Sequence, residues 1–255
     1  MSAPLSVFIT GASSGLGAAL ARHYGELGAR LGLLGRRFDA LQTTAHGFDA
    51  RCYVADVRDL AAMQVAAQAF IHESGPPDIV IAAAGISVGT LTEDATDASV
   101  FRAVMDANVL GMVHTFQPFI APMRARGSGV LCGISSVSGI RGLPGSSAYS
   151  ASKAAATVYL ESLRLELRGS GVSVVTVAPG FIDTPMTQVN PYPMPFKMRA
   201  DQAAQKVVNC IARRDAYRVI PWQMAWVARL LKWLPNWLYD AAFEKAPRKP
   251  RHLPL

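Results

Sequence analysis

Two side chains four residues apart, Tyr149 and Lys153 in Tyr-Ser-Ala-Ser-Lys, are the first candidates for chemistry. On a helix, positions i and i+4 share a face, so a phenol and an ammonium can point into one crevice. Tyrosine ordinarily keeps its proton to about pH 10. A neighbouring cation favours the phenolate and lowers that value by roughly 1–3 units, which suits a group that gives and takes a proton near neutrality. Such a pair occurs in many helices, so its surroundings decide its meaning. Ser136 stands 13 residues earlier, just after an apolar run that reads as a strand, and its hydroxyl is placed to hold a substrate oxygen beside the phenol. Asn108, in Asp106-Ala-Asn-Val-Leu-Gly111, falls inside a predicted helix, where Asn is a poor helix former.

A second constellation lies near the start of the chain. Gly11, Gly15 and Gly17, in Thr10-Gly-Ala-Ser-Ser-Gly-Leu-Gly17, stand between a predicted strand and a predicted helix. Glycines there let the backbone approach a pyrophosphate, whose charge meets the unpaired amides of the helix N-terminus. The spacing is GxxxGxG, not the GxGxxG of the common dinucleotide fingerprint.

The elements that must position these groups alternate along the chain. Strand-like runs at 5–10, 30–34, 51–55, 79–83, 130–135, 172–177 and 218–220 are apolar rather than two-faced. Between them lie helical segments that start at Leu16 and end before Gly28, then at 39–46, 59–72, 98–124 and 147–168. This pattern predicts an α/β fold, a doubly wound, Rossmann-like parallel sheet covered on both sides. Ligands bind such sheets beyond the carboxyl ends of the strands. The Gly-rich turn and the segments 135–149 and 179–184 should therefore converge on one crevice. A single domain over 1–221, followed by a helical tail at 222–255, is expected.

Taken together, the Gly-rich turn, the Ser136/Tyr149/Lys153 spacing and Asn108 resemble the short-chain dehydrogenase/reductase family from residue 5 to about residue 221. The resemblance implies hydride transfer between a nicotinamide C4 and the carbon of a small carbonyl or alcohol substrate. It implies Tyr149 as general acid/base, with Lys153 lowering its pKa and binding the nicotinamide ribose. Ser136 would orient the substrate oxygen, and Asn108 would support a water that relays protons to Lys153. Cofactor contacts are implied for Gly11, Ser13, Ser14, Gly15, Leu16 and Gly17 around the phosphates, and for Asp56 and Val57 at the adenine. Backbone approach is implied at Ala84 and Gly85, and carboxamide contacts along Pro179, Gly180, Ile182 and Thr184. One segment departs from the family pattern: Ala82-Ala83-Ala84-Gly85 replaces Asn-Asn-Ala-Gly, which bears on cofactor affinity or stability rather than on reaction class.

After the second strand, Gly35 stands where an NAD-preferring member carries Asp, and Arg36 and Arg37 follow. A guanidinium facing a ribose 2′-phosphate contributes roughly 1.5–3 kcal/mol per charge-assisted contact, so NADP(H) is expected over NAD(H). A homodimer or homotetramer, joined through the helices at 98–124 and 147–168, is also implied. The rival within the fold, an epimerase or dehydratase acting on nucleotide sugars, needs a further C-terminal domain that finds no room in 255 residues. From another class, the rival is a non-catalytic NADP(H)-binding sensor or scaffold recruited through its tail.

Composition narrows the remaining choices. With 51% apolar and 17% charged residues, the chain is not disordered. Its three cysteines form no CxxC, which argues against a disulfide or zinc framework and for a soluble, metal-free, cytoplasmic protein. From Arg213 onward nine Lys/Arg face three acids, so +6 of the formal +7 lies there. All four tryptophans fall in the same stretch, and Trp222, Trp226, Leu230, Trp233 and Trp237 form a helical stripe. Such a stripe packs on its own protein or a subunit, covers a substrate entrance, or lies on an anionic membrane surface through 222–245. Nucleic-acid binding is not expected, since no recognition motif accompanies the charge. The family resemblance implies that the Pro-rich segment 185–199 forms a mobile cover over the substrate; its Met186, Met194, Phe196 and Met198 suit an apolar one and equally suit packing against the body.

Overall fold

The computed structural model describes residues 4–253. In chain order its strands are β1 (Ser6–Thr10), β2 (Arg30–Gly35), β3 (Ala50–Val54), β4 (Ile79–Ala82), β5 (Gly129–Ile134), β6 (Val172–Pro179), β7 (Ile182–Asp183), β8 (Met198–Arg199) and β9 (Tyr217–Ile220). The helices are α1 (Gly15–Glu26), α2 (Phe38–Ala45), α3 (Leu60–Ser74), α4 (Asp97–Met105), α5 (Gly111–Arg126), α6 (Ser147–Glu166), α7 (Pro185–Gln188), α8 (Ala200–Arg213), α9 (Trp222–Trp233) and α10 (Asn236–Phe243). Seven strands form one parallel sheet in the order β3-β2-β1-β4-β5-β6-β9, while β7 and β8 pair separately. The order reverses between β1 and β4, and a ligand crevice belongs at that switch point.

Side chains of a strand alternate between the faces of its sheet, and β1 shows how both faces are filled. Val7 and Ile9 pack with Leu20 and Tyr24 of α1 and with Val207 and Ile211 of α8. Phe8 packs on the opposite face with Phe70, Phe116 and Phe119 of α3 and α5. Each fully buried Phe contributes about 1.5–3 kcal/mol. Gly32 in β2 makes that packing possible, because a Cβ there would stand 2.5 Å from the Phe8 ring. The result is a single doubly wound domain, as the apolar strands predict.

Three features differ from the expectation. Helix α8 was not legible, although Ala203, Ala204, Val207, Val208 and Ile211 give it a buried face. The helix expected over 98–124 is interrupted by a π-turn at Asp106–Leu110 that separates α4 from α5. Packing of the tryptophan stripe on its own chain is also overturned. In α9 the buried residues are Met224 and Ala228, and Trp222, Trp226, Leu230, Trp233 and Trp237 are 63–83% exposed. Among the described residues, no helix is long and apolar enough to cross a membrane.

The tail nevertheless grips the body through one arginine. Arg141 donates to the carbonyls of Leu231 and Leu234 at 2.9 and 2.8 Å and to Asn236 Oδ1 at 3.0 Å. Its guanidinium lies 4.1 Å from the centroid of the Tyr239 ring, and Tyr239 Oη donates to the Gly142 carbonyl at 2.6 Å. The tail is thereby fixed on the loop that follows Ser136.

Candidate active site

A cleft of about 290 Å³ opens at the carboxyl ends of β1, β4, β5 and β6. Gly11, Ser13, Ser14, Gly15, Leu16 and Gly17 form one wall. Gly17 cannot carry a side chain, since a Cβ would lie 2.2 Å from the Gly11 carbonyl oxygen. Gly11 has φ +72°, and a Cβ there would meet the Ala84 backbone at 2.7 Å. Ser14 is the N-cap of α1 but makes no side-chain cap bond, and the first turn carries no acid. The amides of that turn are thus left for an anion. Both observations fit a dinucleotide pyrophosphate.

At the end of the cleft where the adenine is expected, Arg36, Arg37, Asp56 and Val57 form part of the lining, and so does Arg58, which the sequence did not single out. Arg58 holds Asp56 through Nη2 at 2.7 Å and Nε at 3.0 Å, and keeps that carboxyl below its usual range. Arg36 Nη1 lies 3.9 Å from the same carboxylate. Arg37 makes no ion pair among the described residues. Three guanidiniums against one carboxylate leave positive charge at this end, where a 2′-phosphate would fit.

At the opposite end stand Ser136, Tyr149 and Lys153, together with Ala84, Gly85, Pro179, Gly180, Ile182 and Thr184. Ser136 follows β5, and its Oγ accepts from the Ser138 amide at 3.1 Å. Tyr149 and Lys153 lie in the first two turns of α6. Thr184 meets Gly15, whose added Cβ would stand 3.3 Å from its methyl group, so the two walls approach there. Between α5 and β1, Thr115 Oγ1 donates to Thr10 Oγ1 at 3.5 Å.

In the protein alone, without the positive nicotinamide on which the expected lowering also relies, the groups around Tyr149 do not on balance lower its pKa. Burial pushes the phenol up, with the Ser136 hydroxyl working the other way. Lys153 is 5.8 Å from the Tyr149 ring centroid, donates to the Ile134 carbonyl at 2.8 Å, and is itself lowered to about 8 by burial. Desolvation is the largest cause of both shifts. Asn108 lies behind the cleft wall, and a Cβ at Gly85 would stand 2.9 Å from its Oδ1 and 3.7 Å from Lys153 Nζ. Its Oδ1 accepts from the Ile86 amide at 2.8 Å, and its Nδ2 donates to the Ile86 carbonyl at 3.0 Å and to Ser152 Oγ at 2.9 Å. Both of its donors are committed to holding the loop after β4 against α6. The π-turn that carries Asn108 is of a kind frequent at functional sites.

A doubly wound sheet with this cleft and this helix pair defines an oxidoreductase class, and the chain belongs to the short chain dehydrogenase family, which it matches over residues 6–192. It is 39% identical over 242 residues to an uncharacterized oxidoreductase of Myxococcus xanthus, covering 93% of this chain and 95% of that protein. It is 38% identical over 181 residues to the acetoacetyl-CoA reductase of Synechocystis, covering 71% and 73%. Among solved structures, a short-chain dehydrogenase/reductase from Burkholderia phymatum in complex with NAD superposes with a TM-score of 0.82 at 25% identity, covering 98% of each chain. Actinorhodin polyketide ketoreductase with NADPH superposes at 0.78 and 25%, covering 86% of this chain and 97% of that one.

Proposed function

We propose that this oxidoreductase reduces a ketone or aldehyde, or oxidises the matching secondary alcohol, with NADP(H) in preference to NAD(H). The observation that carries the reading is that Ser136, Tyr149 and Lys153 line the same cleft as the glycine cradle. The cofactor, when bound, supplies or accepts the hydride. Tyr149 holds the proton: its raised pKa keeps the phenol protonated at neutral pH, the form that donates to a carbonyl oxygen. Ser136 holds the same oxygen beside Oη. Lys153, fixed on the Ile134 carbonyl, orients the nicotinamide ribose. Asn108 secures Ile86, which also lines the cleft. A sensor or scaffold would need the cradle but no proton donor, so this set favours an enzyme. NADPH oxidation over a panel of ketones and aldehydes tests it. Turnover of at least one is expected, and nucleotide binding without turnover of any would favour the sensor.

Support for assembly lies on the two expected helical surfaces. Phe101 on α4, Leu110 in the π-turn, and Val158 and Leu165 on α6 are 37–62% exposed. We place the subunit contacts of a dimer or tetramer there. The outward tryptophan face of α9 and α10 is assigned instead to the periphery of an anionic membrane, with the enzyme otherwise cytoplasmic. Indole groups and Leu230 form its apolar surface, Arg229 lies 5.1 Å over the Trp226 ring, and Lys232 adds further positive charge. Co-sedimentation with vesicles of anionic lipid should pellet the protein, and added salt should weaken it. A Trp226→Ser/Trp233→Ser variant should lose about ten-fold or more of that partitioning. Equal pelleting of the two proteins would remove the membrane assignment.

A further inference from the structure

The last described residues return to the active site. After α10 the chain crosses the loops that follow β4 and β5, and both present bare backbone to it. A Cβ at Gly89 would lie 2.3 Å from the Lys249 carbonyl oxygen, and one at Gly145 would lie 2.8 Å from Arg248 Cβ. The Gly89 amide donates to the Pro250 carbonyl at 2.8 Å. Arg251 locks the strap down by pairing with Asp94 and Asp97, donating to Asp97 Oδ2 at 2.8 Å. Asp97 is buried and also accepts from the Leu91 amide at 2.7 Å.

This anchoring puts Lys249 beside the proton donor. Lys249 is 8% exposed, its Nζ lies 5.1 Å from the Tyr149 ring centroid, and it donates to Ser87 Oγ at 2.5 Å. An ammonium has three protons to donate. One goes to Ser87, the ring face receives part of the charge, and no carboxylate pairs with Lys249 among the described residues. The nearby acids, Asp94 and Asp97, are already engaged by Arg251. A nearly buried cation without a counter-ion is costly to keep charged. Consistent with that, burial lowers Lys249 to about 8. An anion arriving with the substrate would supply the missing partner.

We propose that Lys249 is a specificity-determining residue of the substrate site, and that the substrate is an oxo acid whose carboxylate lies one or two bonds from the reacting carbonyl. Lys249 lies behind the Tyr149 ring rather than among the residues that line the cleft, so the substrate carboxylate would have to reach it past that ring while its carbonyl meets Tyr149 and Ser136. The apolar remainder of the substrate lies toward Met186, which lines the cleft. The inference rests on the carbonyl-reductase reading above and narrows its substrate class.

The test compares NADPH-dependent reduction of 2-oxo and 3-oxo acids with that of their methyl esters, in the wild-type protein and in Lys249→Met and Lys249→Arg. The wild type should prefer the acids in kcat/KM. Lys249→Met should lose that preference by about ten- to a hundred-fold while keeping ester reduction. Lys249→Arg should retain part of the preference. Circular dichroism and the Kd for NADPH, both expected unchanged, separate lost recognition from lost folding. Esters reduced as well as acids by the wild type, or an unchanged acid/ester ratio in a folded Lys249→Met, would overturn the assignment and leave the reductase reading standing. No reduction of any carbonyl compound by the wild type would sink both.

Discussion

Replacing Tyr149 with Phe should lower kcat for carbonyl reduction by about 10²–10⁴-fold, the range expected when a positioned proton donor is lost. NADPH affinity should stay within a factor of about two, because the contacts proposed for the glycine cradle are left untouched. The pH dependence makes the result specific. Burial raises the Tyr149 pKa, so the acid form prevails through neutrality and is lost only as pH climbs past that raised value. Wild-type reduction should therefore be flat around neutral pH and fall in alkali. Alcohol oxidation needs the phenolate and should climb with pH over the same range. The residual activity of the Phe variant should show neither limb. A variant that keeps both its rate and its alkaline limb would place the proton on another group and dismantle the assignment.

What was legible in the sequence follows from how local each signal is. A buried parallel strand reads as a continuous apolar run, so Ser6–Thr10 and Gly129–Ile134 stand out. Tyr149 and Lys153 need only a helix to share a face. The glycines of the cradle are forced by backbone approach within one turn and its neighbour β4. Lys249 is a different case. It sits 100 residues from Tyr149 and reads as one more charge in a basic tail, and only the return of the strap brings it to the phenol. Arg141 likewise reveals its role only through carbonyls some 90 residues away. Periodicity also leaves a choice unmade. In α9 the stripe containing Met224 and Ala228 and the stripe containing Trp222 and Trp226 have the same spacing, and the contacts of Gly180 with Met224 decide which turns inward. The π-turn at Asn108 needs no residue type that an ordinary helix forbids, so nothing local announces it.

The second large effect is expected at the adenine end. An Arg36→Ala/Arg37→Ala variant should lose about 10²–10³-fold in kcat/KM for NADPH, while the value for NADH changes by less than about three-fold. Each guanidinium contact with a phosphate contributes roughly 1.5–3 kcal/mol, and two that share one phosphate do not add fully. The structure ranks the competition they face. Arg36 is only 3.9 Å from Asp56, a weak pairing, because that carboxylate is already held by Arg58 at 2.7 Å. Arg36 can therefore turn to a phosphate at little cost, and Arg37 has no ion pair among the described residues to give up. Because both are largely solvent-facing, the NADPH advantage should shrink with salt. The Burkholderia phymatum structure was solved with NAD and actinorhodin ketoreductase with NADPH, so the shared fold itself does not choose between cofactors. Parallel losses with NADH and NADPH would mean that the pair shapes the β2–α2 turn. No loss with either would leave them as solvated surface charges.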